Sequence, residues 1–461
     1  MNKRIYLLLL LGAWLGACVI DEPVKNDNSA NKWIEETMRQ YYLWEDEIPD
    51  AAKLDHTLEP EEFFQSMLSA KDGKARYHYS TINKTKGATK SYMGEDNTFG
   101  FEYQYFSIMG EGNQTRYYAL LVLYVLPESP ASEKGLKRGD WILQINRNPV
   151  PANAAALLEA LDTTTPAEVV FGLNSSLPQS LAVTQEMALT PRMVVDNPVF
   201  ADTTFSYEGQ KIAYLLFNHF TDGVTDNDET FHDSMREAFA RFQANNPTDF
   251  ILDLRYNPGG LVKTAQLLAT MLAPATALDD VFCHFIYNQK LQHTRESLFL
   301  DTKYMLQGNT PGANLDLKRL FVITSNRTAS ASEAVINGLA PYMNGQIILV
   351  GGTTEGKNVA SSTFSNESLG WEIHPIISRI SNKEEFSDYS SGFPPTYPCE
   401  EMRQETFFEL GDTREFMLKQ VLDFIAHGTP IRDGVSSLRS SGSLRLVPGY
   451  SSIERRSSMT K

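Results

Sequence analysis

Ser330 and Lys357, twenty-seven positions apart, are the residues of this chain best suited to act together chemically. A serine hydroxyl is a poor nucleophile until a base removes its proton. A lysine is such a base only when neutral, so its pKa must fall by about three through desolvation or a cationic neighbour. That is a bias of about 4 kcal/mol. Attack on a carbonyl would then leave an oxyanion in need of two backbone N–H donors. Other chemistries find less support. The 8 histidines show no paired ligand spacing such as His-Glu-x-x-His, and Gly351-Gly352 lacks the spacing of a phosphate loop. Neither a metal nor a cofactor is expected.

The elements around these two residues read as an α/β sheet. Leu320–Thr324 is a short apolar, β-branched run, the signature of a buried strand. Ala334, Val335, Gly338 and Leu339 follow at helical spacing, so the chain turns from strand to helix at Ser330. Gln346–Val350 reads as a second buried strand, with Lys357 just beyond its carboxyl end. Sites in open α/β sheets form outside the carboxyl ends of strands, which makes both residues candidates for one crevice. Plainer roles stay open. Ser330 and Glu333 also form a capping box, and Lys357 could be a solvated surface amine.

Thr-Ala-Ser-Ala-Ser-Glu at 328–333, followed by Gly356-Lys357, resembles the C-terminal processing (tail-specific) serine peptidases. Phe250–Arg255 with Asn257-Pro258-Gly259-Gly260 resembles that family's strand and oxyanion turn. The resemblance implies a crotonase-like α/β protease core with Ser330 as nucleophile and Lys357 as general base. It also implies an oxyanion hole from the N–H groups of Gly259 and Ala331, the latter at a helix N-terminus that favours negative charge. Two departures bear on activation. Many members carry a glutamine four residues after the lysine to orient its amine, and here that position is Ser361. The serine-to-lysine spacing is also slightly long, which we ascribe to a loop at Pro341-Tyr342-Met343-Asn344. Relatives in the wider group use a Ser-His-Glu arrangement, which leaves His219 as the alternative base.

A second motif lies upstream. Thr98-Phe99-Gly100-Phe101, the strand-like Tyr118–Leu126, and Gly135–Asn146 together resemble the PDZ domains of bacterial proteases. Such domains add an extended C-terminal peptide as a strand, with loop N–H groups receiving its carboxylate. Phe99, Gly100 and Phe101 are then the peptide-binding loop, although Gly100 also reads as an ordinary hairpin glycine.

The rest of the chain frames these two motifs. At 461 residues, several domains are expected, and 42% hydrophobic content suffices for their cores. A formal charge of −16 argues against nucleic acid and against electrostatic adhesion to anionic lipid. Residues 1–18 have a basic start, an apolar stretch and Leu-Gly-Ala-Cys, resembling a bacterial lipobox with Cys18 as the lipidated residue. The expectation is therefore a membrane-tethered protein of the bacterial cell envelope acting on proteins or peptides with free C-termini. A non-catalytic, tethered PDZ binding protein is the alternative from another class. Cys283 and Cys399 could pair, but sequence does not decide it. The expected organisation is a tether (19–30), a small helical domain (31–90), an inserted PDZ domain (98–190) and the protease core (192–430). Residues 431–461, rich in Ser and Arg without apolar period, are expected to lack order.

Overall fold

The computed structural model describes residues 28–452, apart from 76, 86–94, 111–113, 177–181, 226–227, 293–295, 404–405 and 429–443. Cys18 and its lipobox lie outside the described residues. The framework of the molecule is a six-stranded sheet in the order Val199–Tyr207, Gln210–Phe217, Asp249–Asp253, Leu320–Thr324, Ile347–Gly351, Tyr397–Pro398. The first pairing is antiparallel and the other four are parallel. Alternation along the strands buries both faces. Ala213, Leu215 and Phe217 pack with the helices Thr230–Asn245, Val262–Leu272 and Ala331–Met343. Ile212, Tyr214 and Leu216 face the helix Phe416–His427 on the opposite side.

A second sheet belongs to the PDZ region. Its order is Leu444–Ser451, Phe101–Met109, Thr115–Val125, Trp141–Ile145, Val169–Asn174, Gln185–Leu189. Within 431–461, expected to lack order, the described residues Leu444–Ser451 form the outermost strand, and the remainder, apart from Ser452, lies outside the described residues. Leu444–Ser451 is defined by its antiparallel main-chain pairing with Phe101–Met109. Its register breaks between Leu446 and Ser451, around Pro448-Gly449, where a proline is tolerated at an edge or bulge.

The N-terminal unit contains the helices Ser29–Tyr41 and Pro60–Gln65, and its core continues into the protease domain. Ile34, Met38, Phe63 and Phe64 share a cluster with Val359, Ile373 and Ile376 from the far end of the protease core. The stretch 361–400, which shows little regularity in sequence beyond Trp371–Ile377, supplies the strands Phe364–Asn366, Trp371–His374 and Ile376–Ser381. The Pro341 segment is likewise not a loop. The helix runs on to Met343, and the Asn337 carbonyl, four residues before the proline and denied its N–H, accepts Asn382 Nδ2 at 3.2 Å.

The PDZ region is fastened to the core by buried charge. Arg138, inside the Gly135–Asn146 motif, donates to Leu123 O at 2.6 Å, Tyr256 Oη at 2.9 Å and Glu401 Oε1 at 2.6 Å. Arg255 joins the same cluster through Glu415 Oε1 at 2.8 Å and Asp253 Oδ2 at 2.7 Å. Burial would push the Glu401 carboxyl up, but the two guanidinium groups outweigh it and hold it down at about 2.

Candidate active site

Three neighbouring parallel strands deliver the predicted residues at their carboxyl ends: Gly259 after Asp249–Asp253, Ser330 after Leu320–Thr324, and Lys357 after Ile347–Gly351. The connecting loops are stitched together. The Ala329 N–H donates to Asn257 O at 3.2 Å, and the Glu355 N–H to Thr328 O at 2.9 Å. Ser330 adopts φ 55°, ψ −115° at the start of the helix, a sparsely populated backbone conformation that presents the residue on a sharp strand-to-helix turn. Gly259 lies directly against it. A Cβ on Gly259 would stand 2.7 Å from Ser330 Cβ and 3.0 Å from Ala331 N, and its φ of +104° also demands glycine.

The residue that joins the site is Glu333. Its carboxylate is fully buried and accepts the Ser330 N–H at 3.0 Å, the Gly356 N–H at 2.7 Å and the Lys357 N–H at 2.8 Å. Thr354 Oγ1 donates to it at 2.5 Å. Burial pushes this carboxyl up to about 7, against the lowering effect of those four hydrogen bonds. One side chain therefore spans the backbones of the serine and the lysine. The capping box in the sequence anticipated only its nearer half.

Lys357 is buried, and its Nζ lies 5.1 Å from the centre of the Tyr79 ring, a cation–π distance. Tyr79 comes from the N-terminal unit, and its hydroxyl donates to Glu355 Oε1 at 3.2 Å. Nothing in the sequence marked Tyr79, because its contact spans most of the chain. Ser361, by contrast, is exposed on the strand Val359–Ser361.

Of the two N–H groups expected to form an oxyanion hole, one has a partner within its own turn. The Gly259 N–H donates to Asn257 Oδ1 at 2.8 Å in this state. His219 is next to the turn, since the Phe220 N–H donates to Gly259 O at 2.9 Å. Both of its ring nitrogens are occupied, Nε2 with Asp196 O at 3.0 Å and Nδ1 with Thr221 Oγ1 at 2.8 Å.

In the PDZ region Phe99 and Phe101 point into that domain's core, so a peptide would meet their backbone rather than their rings. A Cβ on Gly100 would fall 2.0 Å from Ser129 Cβ, and its N–H donates to Thr98 Oγ1 at 3.0 Å. The strand that follows touches the loop that leads to Ser330. Gln104 Oε1 accepts the guanidinium of Arg327, three residues before Ser330. Cys283 and Cys399 are not joined to each other. Among the described residues no cluster of His, Cys, Asp or Glu could hold a metal, and no helix is long and apolar enough to cross a membrane.

Comparison with known proteins agrees with this architecture. Residues 211–395 match the peptidase family S41 model, residues 29–81 the peptidase S41 N-terminal domain, and residues 121–173 a PDZ domain. A Bacteroides fragilis protein assigned to the S41 proteases, known from its crystal structure, is 30% identical. The match covers 86% of this chain and 97% of that one, with a TM-score of 0.74. A carboxyl-terminal-processing protease of Synechocystis is 25% identical over 323 residues, 69% of this chain and 68% of that protein. A carboxy-terminal-processing protease of Bartonella bacilliformis is 26% identical over 364 residues, 75% of this chain and 71% of that protein. The fold and its relatives define a serine peptidase. The chain belongs to peptidase family S41, with the PDZ domain and the small N-terminal domain found in the sequence.

Proposed function

We propose that this chain is an endopeptidase in which Lys357 activates Ser330, cutting exported proteins or peptides whose C-termini are held by the PDZ domain. The observation that carries this reading is the buried Glu333 carboxylate, hydrogen-bonded at once to the backbones of Ser330, Gly356 and Lys357. It ties the backbones of the two residues together, and the Tyr79 ring lies 5.1 Å from Lys357 Nζ, which supports a common site.

In the reaction, the neutral Lys357 amine takes the Ser330 proton as Oγ bonds to the scissile carbonyl carbon. The Ala331 N–H, at the first position of a 13-residue helix, meets the oxyanion. The Gly259 N–H joins it by sharing or leaving its bond to Asn257. When the C–N bond breaks, the Lys357 ammonium returns the proton to the leaving amine. Water, deprotonated by the same amine, then attacks the acyl carbon, and the ammonium returns that proton to Ser330 Oγ as the ester bond breaks. The engaged ring nitrogens of His219 favour lysine over histidine as the base.

The names of the Synechocystis and Bartonella relatives support C-terminal processing as the task. The lipobox supports an envelope protein anchored by lipid at Cys18. Peptidase assays of wild type and Ser330→Ala test the reading. The variant is expected to fold, losing at most about 1 kcal/mol at the helix start, and to show no turnover. Turnover at the wild-type rate would overturn the mechanism.

A further inference from the structure

The strand Leu444–Ser451 occupies one edge of Phe101–Met109, the strand that leaves the Phe99-Gly100-Phe101 loop; the other edge is taken by Thr115–Val125. The pairing is antiparallel and its direction is informative. Leu444 lies opposite Ile108, Arg445 opposite Ser107, Leu446 opposite Phe106, and Ser451 opposite Gln104. The segment thus runs toward the loop. Ser452 continues the same course, its Oγ accepting the Tyr103 N–H at 2.8 Å and donating to Tyr103 O at 3.3 Å. An incoming peptide that adds as a strand and hands its carboxylate to that loop needs the same edge in the same polarity. Two strands cannot share one row of N–H and C=O groups.

We propose that Leu444–Ser451 is an intramolecular ligand of the PDZ edge, so that a substrate tail binds only by displacing it. The inference rests on the reading of the PDZ domain as the receiver of substrate C-termini. Residues 429–443 connect the strand to the helix Phe416–His427, so the occupant is tethered. With an effective concentration of about 1 mM against an intrinsic dissociation constant of about 0.1 mM, it weakens entering peptides about tenfold. The occupied edge also borders the catalytic loop, because Gln104, opposite Ser451, holds Arg327.

The test uses the full chain with paired cysteines at Ser107→Cys and Arg445→Cys. These are register partners, and facing residues of an antiparallel pair lie about 4.5–5.5 Å apart at Cα, within disulfide reach. Oxidation locks the strand in place, reduction frees it, and mass spectrometry verifies the 107–445 bond. In the opposite sense, Arg445→Pro with Leu446→Pro removes two consecutive N–H groups, so that one of them must belong to the ladder. A cooperative thermal unfolding transition establishes that each variant is folded. The probe is a set of fluorescein-labelled decapeptides with free apolar C-termini, alongside amidated counterparts. The proposal expects binding to be lost in the locked form, restored on reduction, and tightened about tenfold by the prolines. If free-carboxylate peptides bind all forms equally, the self-ligand is wrong while the PDZ reading stands. If amidated peptides bind as well as free ones, or no peptide binds even the proline variant, the PDZ reading fails and the inference with it.

Discussion

The Glu333 carboxylate accepts the backbone N–H of Lys357 at 2.8 Å while also holding the N–H of Ser330 at 3.0 Å. The serine and the lysine follow different strands, and this one buried side chain ties their backbones together.

Glu333→Gln should therefore damage catalysis more than binding. An amide presents an NH2 to a pocket of donors, leaving a buried group unsatisfied at a cost of about 1–3 kcal/mol. If this falls on the reacting geometry, kcat drops about 10–100-fold, with KM close to wild type. Steady-state kinetics decide it, and an unchanged kcat would remove Glu333 from the positioning role.

The same residue predicts opposite pH trends for stability and activity. Its carboxyl is raised from 4.5 to about 7, so the folded chain holds this proton more tightly than the unfolded chain. Taken alone, the group stabilises the fold most below about 4.5, and that contribution is lost as pH rises through about 7. The ionised form is the one that can accept all four donors, so activity should rise over the same interval. Thermal unfolding from pH 4 to 8 should show wild type losing Tm relative to Glu333→Gln. A relative gain would contradict the assignment.

Arg138→Leu tests the fastening of PDZ region to core. It strips a buried cation from Glu401 and Glu415, whose loss of partner should cost about 3–5 kcal/mol. Glu401 is held at about 2, so its contribution is present above about 4.5 and lost as pH falls toward 2. Denaturant unfolding at pH 7 and pH 3 should show the penalty shrinking in acid. A variant as stable as wild type at pH 7 would mean the cluster adds no net stability.

Local pattern explains what the sequence made legible. The strand Leu320–Thr324, the turn at Ser330 and the following helix declare themselves through adjacent residues, as do Gly259 and the Gly135–Asn146 motif. Contacts between distant segments do not. Tyr79 over Lys357 leaves no periodic trace, and Asn382 completing the helix at Pro341 is invisible in a window around the proline. Val199–Tyr207 is half-buried and polar in its middle, so it lacks the apolar run of its neighbours. Leu444–Ser451 is recognisable only through the edge it pairs with. Glu333 appeared as a cap because its second set of donors lies beyond the next strand.

For the anchor, Cys18→Ser should abolish lipid attachment and move the protein from the membrane fraction to the soluble one. Metabolic labelling with a fatty-acid analogue reads this directly. Label that persists in the variant would mean that the lipobox is not the modification site.

The most direct test of Lys357 as the base is the kcat/KM profile, from pH 5 to 10, of wild type, Lys357→Arg, Lys357→Ala and His219→Ala. Guanidinium stays protonated throughout this range, so Lys357→Arg should be as inactive as Lys357→Ala. His219→Ala should retain substantial turnover, and wild-type activity should rise with pH to a plateau with an apparent pKa well below the ordinary ~10.4. Near-wild-type turnover in Lys357→Arg, together with an inactive His219→Ala, would transfer the base to histidine and contradict the mechanism.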